Sequence, residues 1–323
     1  MTTPKTDDIP QVVEQILALE TAGCEIVRVT VNHQASADAL AEILRQIHIP
    51  LIADVHFDYK MALAALSHPI GCVRINPGNI GARWKLEEII TMAKDKGIAI
   101  RIGVNAGSLE KSLLKKYGHP VPAALVESAL THIALLEKHD FYNFKVSIKS
   151  SDVVQNFMAY QLLSAKTDAP LHLGVTEAGT KNYGSIKSAV GIGSLLMSGV
   201  GDTIRVSLSC DPVEEIKAAT YILRSLGLKN DTPEIIACPS CGRADIDVFK
   251  LAEEVERRAL ALKKNIKIAV MGCVVNGPGE SMEADIGIAG GKGEGLVYKK
   301  GKAIKKVPEN EMLDYLMAEI ERM

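Results

Sequence analysis

The segment Leu51–Val104 reads LIADVHFDYKMALAALSHPIGCVRINPGNIGARWKLEEIITMAKDKGIAIRIGV. It repeats one pattern three times. Leu51–Val55, Gly71–Ile75 and Ile98–Val104 are short aliphatic runs of strand length, separated by amphipathic helical segments. Strands alternating with helices of this length predict βα units with parallel pairing. The pattern extends both ways, with further strands predicted at Cys24–Val31, Phe144–Ile148, Leu171–Val175 and Thr203–Leu208. Upstream, Ile9, Val12, Val13, Ile16 and Leu17 have helical spacing, with Asp7 or Asp8 as N-cap. A doubly wound sheet and a (β/α)8 TIM-type barrel remain, and the count favours the barrel. Eight helices but only seven strands are found, because the chain opens on a helix. A leading strand is therefore expected to be missing. The alternatives are a start that lies too late or a barrel open between its second and eighth strands, where a bare parallel edge invites aggregation.

The polar, turn-rich LGLKNDTP at Leu226–Pro233 marks a boundary. It divides the chain into a barrel over residues 1–230 and a small α+β module over 231–323. The second module should hold a CPSCGR loop, a helix near Ile246–Leu262, strands at Ile266–Met271 and near Asp285–Ala289, a Gly-rich turn at Gly290–Gly295, a basic hairpin and a final helix after Pro308. Lys299, Lys300, Lys302, Lys305 and Lys306 make a positive patch there. It reads as a solvated hairpin first, and as a docking surface for an acidic electron carrier second.

A chain of 323 residues with 47% hydrophobic content supports a substantial core. A net charge of −2 gives no general case for nucleic acid or an acidic membrane surface. No apolar run approaches the roughly 18 residues of a membrane span. The leading MTTPKTDD has neither signal-peptide nor transit-peptide character. A cytoplasmic protein is expected. Six cysteines, three in a ligand pattern, suit a reducing compartment. Cys24, Cys72 and Cys210 read as small buried side chains.

The ligand pattern is Cys238 and Cys241 in CPSCGR, then Cys273 and Glu280 in MGCVVNGPGE, with Gly277, Pro278 and Gly279 in a loop between them. Two thiolates in a C-x-x-C grip one metal centre. All eight histidines lie at or before His172, so no four-ligand Cys/His zinc site can form within the second module. A bare redox pair would not account for Cys273. A cluster held by three thiolates fits the set, although spacing alone leaves zinc open.

Functional groups of a barrel gather at the C-terminal ends of its strands. Those ends carry Arg28; Asp54 and His56; Arg74, Asn76 and Asn79; Arg101 and Asn105; Lys145 and Lys149; His172, Thr176 and Glu177; and Arg205 and Ser207. Arg28, Arg74, Arg101 and Arg205 each stand between aliphatic neighbours, and the nearby acids are few. Charged groups in such strands need partners. Internal ion pairs are one solution. A phosphorylated anion held by guanidinium groups is the other, and it fits the surplus of positive charge.

The motifs CPSCGR, GCVVNGPGE and DIGIAGG (Asp285–Gly291) resemble those of the bacterial 4-hydroxy-3-methylbut-2-enyl diphosphate synthases. So do DVHFDY (Asp54–Tyr59), RINPGNIG (Arg74–Gly81), RIGVNAGSLEK (Arg101–Lys111), HLGVTEAG (His172–Gly179), GDTIRVSL (Gly201–Leu208) and DPVEEIK (Asp211–Lys217). The resemblance covers almost the whole chain from Thr2. It implies a TIM-type barrel followed by an iron–sulfur domain, and a [4Fe–4S] cluster on Cys238, Cys241, Cys273 and Glu280. The implied reaction is reductive ring opening and dehydroxylation of 2-C-methyl-D-erythritol 2,4-cyclodiphosphate, with flavodoxin or ferredoxin as electron donor. Arg28, Arg74, Arg101, Asn105, Lys149, His172, Thr176, Arg205, Ser207 and Asn276 would bind substrate. Glu177 would be the proton donor, with His56 and His172 as weaker candidates, and Glu280 an exchangeable ligand. A homodimer with shared active sites is also implied. Members of the family carry a leading segment that supplies the first strand. The rivals are a non-redox barrel synthase of the dihydropteroate synthase type with a structural zinc module, and a cluster-bearing sensor.

Overall fold

The computed structural model describes all residues except Asp231, Thr232, Lys263, Val274 and Asn276. It divides into two compact units, Met1–Ile222 and Leu223–Met323.

In the first unit β1 (Val27–Thr30), β2 (Leu51–Val55), β3 (Cys72–Ile75), β4 (Ala99–Asn105) and β5 (Phe144–Lys149) form one parallel sheet in chain order. An isolated parallel bridge, Val146 to Leu171, carries it on to β6 (His172–Leu173), which pairs with β7 (Thr203–Ile204). These are the seven strands read from the sequence, with the first and the last two shorter. The free edge of β1 is met by the start of the chain. Thr2 N donates to Arg28 O at 3.0 Å and Thr6 Oγ1 to Thr30 O at 2.6 Å.

The helices form where caps and apolar spacing agree. Asp8 accepts from Gln11 N at the start of Ile9–Thr21, which buries Val12, Val13, Ile16 and Leu19. Asp58 caps Tyr59–Leu66 and Asp152 caps Val153–Ser164 in the same way. Fully buried side chains such as Leu51, Leu66, Ile89 and Ile100 each contribute about 1.5–3 kcal/mol against exposure. The strand register puts Asp54, Arg74, Arg101 and Lys145 opposite one another in one row. That row crosses β2 and β3 near their ends and β4 and β5 near their starts, and it gathers charge in one place.

In the second unit β8 (Glu234–Ala237), β9 (Lys267–Met271) and β10 (Ile286–Gly291) are parallel. β11 (Glu294–Lys299) and β12 (Lys302–Pro308) continue the sheet antiparallel, and β12 is its edge. Helices Val248–Leu260 and Met312–Glu321 pack on it. Three sequence readings need correction. β8 was not foreseen, being four residues of mixed polarity. The Gly-Pro-Gly stretch is no loop but opens a helix, Gly277–Glu283; proline is tolerated in a first turn, where its missing N–H would have had no partner. Cys24 and Cys210 are only partly buried; Cys72 alone of the three is buried. On β12 the lysines line an exposed edge, with Lys305 over the Tyr315 ring at 4.5 Å and Lys306 paired with Glu294.

Candidate active site

The barrel's charged groups converge. Arg74, on β3, is 4% exposed and donates from Nη1 to Asp54 Oδ1 at 2.9 Å and to His56 Nε2 at 2.8 Å. Arg28 Nη1 lies 3.4 Å from Asp54 Oδ2. Asn105, with its side-chain oxygen turned to the guanidinium, accepts from Arg74 Nη2 at 3.2 Å. Arg101 is 3% exposed, in register with Arg74. Arg205 Nη2 lies 3.7 Å from Glu215 Oε2, and Glu215 Oε1 also accepts from Leu208 N at 2.9 Å. Lys149, the last residue of β5, is buried. Glycines make room for these side chains. A Cβ on Gly103 would lie 2.5 Å from Arg74 Nε, and one on Gly174 would lie 2.6 Å from Lys149 Nζ.

Five cations thus face two carboxylates, Asp54 and Glu215. Burial, then the charge of Arg101 and Arg205, pushes the Lys149 ammonium well below its ordinary pKa. Burial brings Arg101 down to about 10, with Arg74 adding to the effect. Asp54 is held well below the carboxylate range. Burial opposes its ionisation, but the neighbouring His56 ring, 3.6 Å away, and the charges of Arg28 and Arg74 together outweigh it. The Nε atoms of Arg28, Arg74, Arg101 and Arg205 are buried without a hydrogen-bond partner. An unsatisfied buried donor costs about 1–3 kcal/mol, more when charged.

His172 is buried, with Nδ1 2.8 Å from Thr203 Oγ1 and Nε2 unpartnered. Its pKa is driven well below the usual value by burial, then by Lys149 and Arg101, so the ring is neutral. Tyr160, unforeseen in the sequence, supports it by donating from its hydroxyl to His172 O at 2.5 Å. Thr176 N donates to Ser150 O at 3.3 Å. Glu177 follows in an exposed loop with φ +52°, a left-handed conformation that costs a non-glycine residue about 1–3 kcal/mol. Ser207 is half-buried beyond β7. Glu215 was missed because an acid in a helix's first turn reads as a dipole partner.

In the second unit Cys238 follows β8 and Cys273 follows β9, at the same end of two paired parallel strands. Gly272 N donates to Cys238 Sγ at 3.2 Å. A Cβ on Gly272 would meet Val248 Cγ2 at 2.4 Å, so the backbone approaches that sulfur closely. Cys241 is exposed and all six cysteines are free thiols. Glu280 is exposed on the helix Gly277–Glu283. Among the described residues no three His, Cys, Asp or Glu side chains already stand together as a metal site. Asn276, expected to bind substrate, lies outside the described residues.

A parallel βα barrel with a cationic mouth, joined in one chain to a thiol-bearing module, defines a class of two-part anion-handling enzymes. The chain belongs to the GcpE family: residues 1–220 match the GcpE TIM-barrel domain and residues 234–322 the GcpE protein C-terminal domain. A relative from Clostridium perfringens, 4-hydroxy-3-methylbut-2-en-1-yl diphosphate synthase (flavodoxin), is 56% identical over 99% of this chain and 92% of its own length. The protein of that name from Caldanaerobacter subterraneus is 55% identical over 100% and 91%. Among solved structures, Yersinia pestis dihydropteroate synthase is 10% identical with a TM-score of 0.49, covering 68% of this chain and 87% of that one. A likeness of that size supports no functional inference, and the rival non-redox synthase reading has no other support.

Proposed function

We propose that the chain makes 4-hydroxy-3-methylbut-2-enyl diphosphate by reductive ring opening of 2-C-methyl-D-erythritol 2,4-cyclodiphosphate. Two electrons and two protons enter, the ring C–O bond breaks and one hydroxyl leaves as water. It is an iron–sulfur oxidoreductase of the EC 1.17.7 class. The observation that carries the reading is the group of five cations around two carboxylates, with four guanidinium Nε atoms unpartnered. A diphosphate is the anion that group suits, because guanidinium forks bind phosphate oxygens bidentately. Arg28, Arg74, Arg101, Arg205, Lys149 and Ser207 hold it. Asn105, neutral His172, Thr176 and Asn276 orient the rest of the substrate. Glu177 gives the departing hydroxyl its proton.

The donor set of Cys238, Cys241, Cys273 and Glu280 fits a [4Fe–4S] cluster, and the N–H of Gly272 aimed at Cys238 Sγ is the kind of hydrogen bond that tunes a thiolate ligand. Such a cluster supplies single electrons from flavodoxin, the donor printed in the relatives' names, or from ferredoxin. The division into a barrel (1–230) and a cluster module (231–323) follows the same reading, as does a cytoplasmic location. Among the described residues no helix is long and apolar enough to cross a membrane.

The enzyme acts as a homodimer whose sites are shared between chains. In support, neighbouring helices Val153–Ser164 and Lys181–Met197 leave Val154, Met158, Leu162, Tyr183, Ile186 and Val190 exposed, an apolar surface that a monomer rarely shows.

Iron, sulfide and zinc analysis of anaerobically purified protein, with turnover of the cyclodiphosphate by reduced flavodoxin, tests the proposal. Iron, sulfide and turnover are expected in the wild type. Cys238→Ser, Cys241→Ser and Cys273→Ser should each lose iron and activity, while Cys24→Ser keeps both. Stoichiometric zinc, or full iron in Cys273→Ser, would overturn the cluster assignment.

A further inference from the structure

Glu110 lies outside the cationic group but touches a loop that feeds it. It follows β4 and the short 3-10 turn Ala106–Ser108, at the start of helix Lys111–Tyr117. Its Oε1 accepts from Ser128 Oγ at 2.8 Å and lies 2.8 Å from His132 Nε2, both on helix Pro122–Lys138. Its Oε2 is buried without a hydrogen-bond partner. Burial is the largest single influence and works against ionisation, but the hydrogen bonds from His132, the backbone and Ser128 together outweigh it and the carboxyl titrates below its ordinary value. The side chain as a whole is only partly buried, but its Oε2 is cut off from water with no donor, and such a carboxylate oxygen is costly to keep. The Lys115 and Lys116 side chains that end its own helix are exposed, so no lysine of that helix accounts for it.

The carboxylate packs against the loop after β3. A Cβ on Gly78 would lie 3.2 Å from Glu110 Cγ and 3.3 Å from Oε1. The same loop is tied to the β4 end a second time, by Asn76 Nδ2 donating to Ser108 Oγ at 3.1 Å, while Asn76 Oδ1 accepts from Gly78 N at 3.2 Å. Arg74 stands two residues before Asn76, and its partner Asn105 stands five before Glu110. Glu110 therefore sits where helix Pro122–Lys138, the β4 end and the β3 loop meet.

We infer that Glu110 is a positioning residue for the anion pocket: pinned by Ser128 and His132, it backs Gly78 and so fixes the β3 loop that carries Asn76 and follows Arg74. The inference rests on the anion-binding reading of the barrel. A small shift of a binding group is felt strongly because positioned groups lose their advantage over short distances.

The test measures binding of inorganic pyrophosphate to the holoenzyme, with steady-state kinetics alongside. Glu110→Ala is expected to weaken pyrophosphate roughly tenfold and to raise KM more than it lowers kcat, with iron content unchanged. Glu110→Gln, which keeps the shape and an acceptor oxygen, should recover most of the loss. Gly78→Ala pushes against an intact Glu110 and should weaken binding alone, but cost little more in the Glu110→Ala background. Wild-type affinity in Glu110→Ala, or a Gly78→Ala penalty equal in both backgrounds, would overturn the inference. If the wild type itself binds no pyrophosphate, the anion-pocket reading fails and this inference with it.

Discussion

At the residue scale the barrel's charged group holds more positive charge than it neutralises, and Lys149 registers this most directly. Its folded pKa is depressed, so between that value and the ordinary lysine value of about 10.4 the unfolded chain binds a proton that the native chain does not. Stability of the free protein therefore rises with pH across that window. A bound polyanion raises the Lys149 pKa again, so the lysine's own contribution to binding is proton uptake. Calorimetric titration with pyrophosphate near pH 8, in buffers of different ionisation enthalpy, should show this uptake, and Lys149→Met should reduce it as well as the affinity. Equal uptake in the variant would show that the proton goes elsewhere. Glu177 is a different case, since its exposed, left-handed position serves no ion pair within the arginine group. Glu177→Gln should leave iron content and pyrophosphate affinity near wild type and lower turnover by about 10²–10⁴, as loss of a general acid does. Lost binding with proportionate turnover would make it a binding group instead.

At the scale of elements, the alternation of aliphatic strands and amphipathic helices made the barrel legible, because a strand covered on both faces needs a continuous apolar run. The site was legible for the opposite reason. Arg74 and Arg101 break such runs, and an arginine 3–4% exposed needs a cause that chain periodicity does not supply. What stayed hidden depends on contacts distant in sequence. Glu215 reads as an ordinary helix-start acid until β7 brings Arg205 to it. Gly103 reads as a weak strand position until Arg74 is seen to fill its Cβ space. β8 offers only the short apolar run Ile235–Ala237, and its pairing with β9 defines it. The exposed stripe on helices Val153–Ser164 and Lys181–Met197 is visible only in the structure, since apolar residues at helical spacing ordinarily face a core. If that stripe is covered by a second copy, Met158→Glu and Ile186→Glu should shift the protein to monomer in sedimentation velocity, with the barrel's circular dichroism unchanged. A dimer that survives both substitutions would place its interface elsewhere.

At the scale of the whole molecule the proposed dimer raises the question of which chain's cysteine module would serve which barrel. In a βα barrel each strand runs to the C-terminal face and the following helix returns the chain to the other. The last barrel helix, Pro212–Ser225, has 14 residues and so spans about 21 Å. It delivers the chain to the face opposite the strand ends where the arginines stand. In the proposed two-fold head-to-tail dimer each cysteine module would serve its partner's barrel. Complementation separates the two arrangements. Glu177→Gln spoils the barrel part of a site and Cys273→Ser the cluster part. In a random co-expressed mixture about half the dimers are mixed, and with shared sites each mixed dimer has one intact site of two, so about a quarter of wild-type activity should return. If each module serves its own barrel, every site carries one lesion. Activity no greater than the sum of the two single variants, with mixed dimers demonstrated by differential tags, would exclude the shared site.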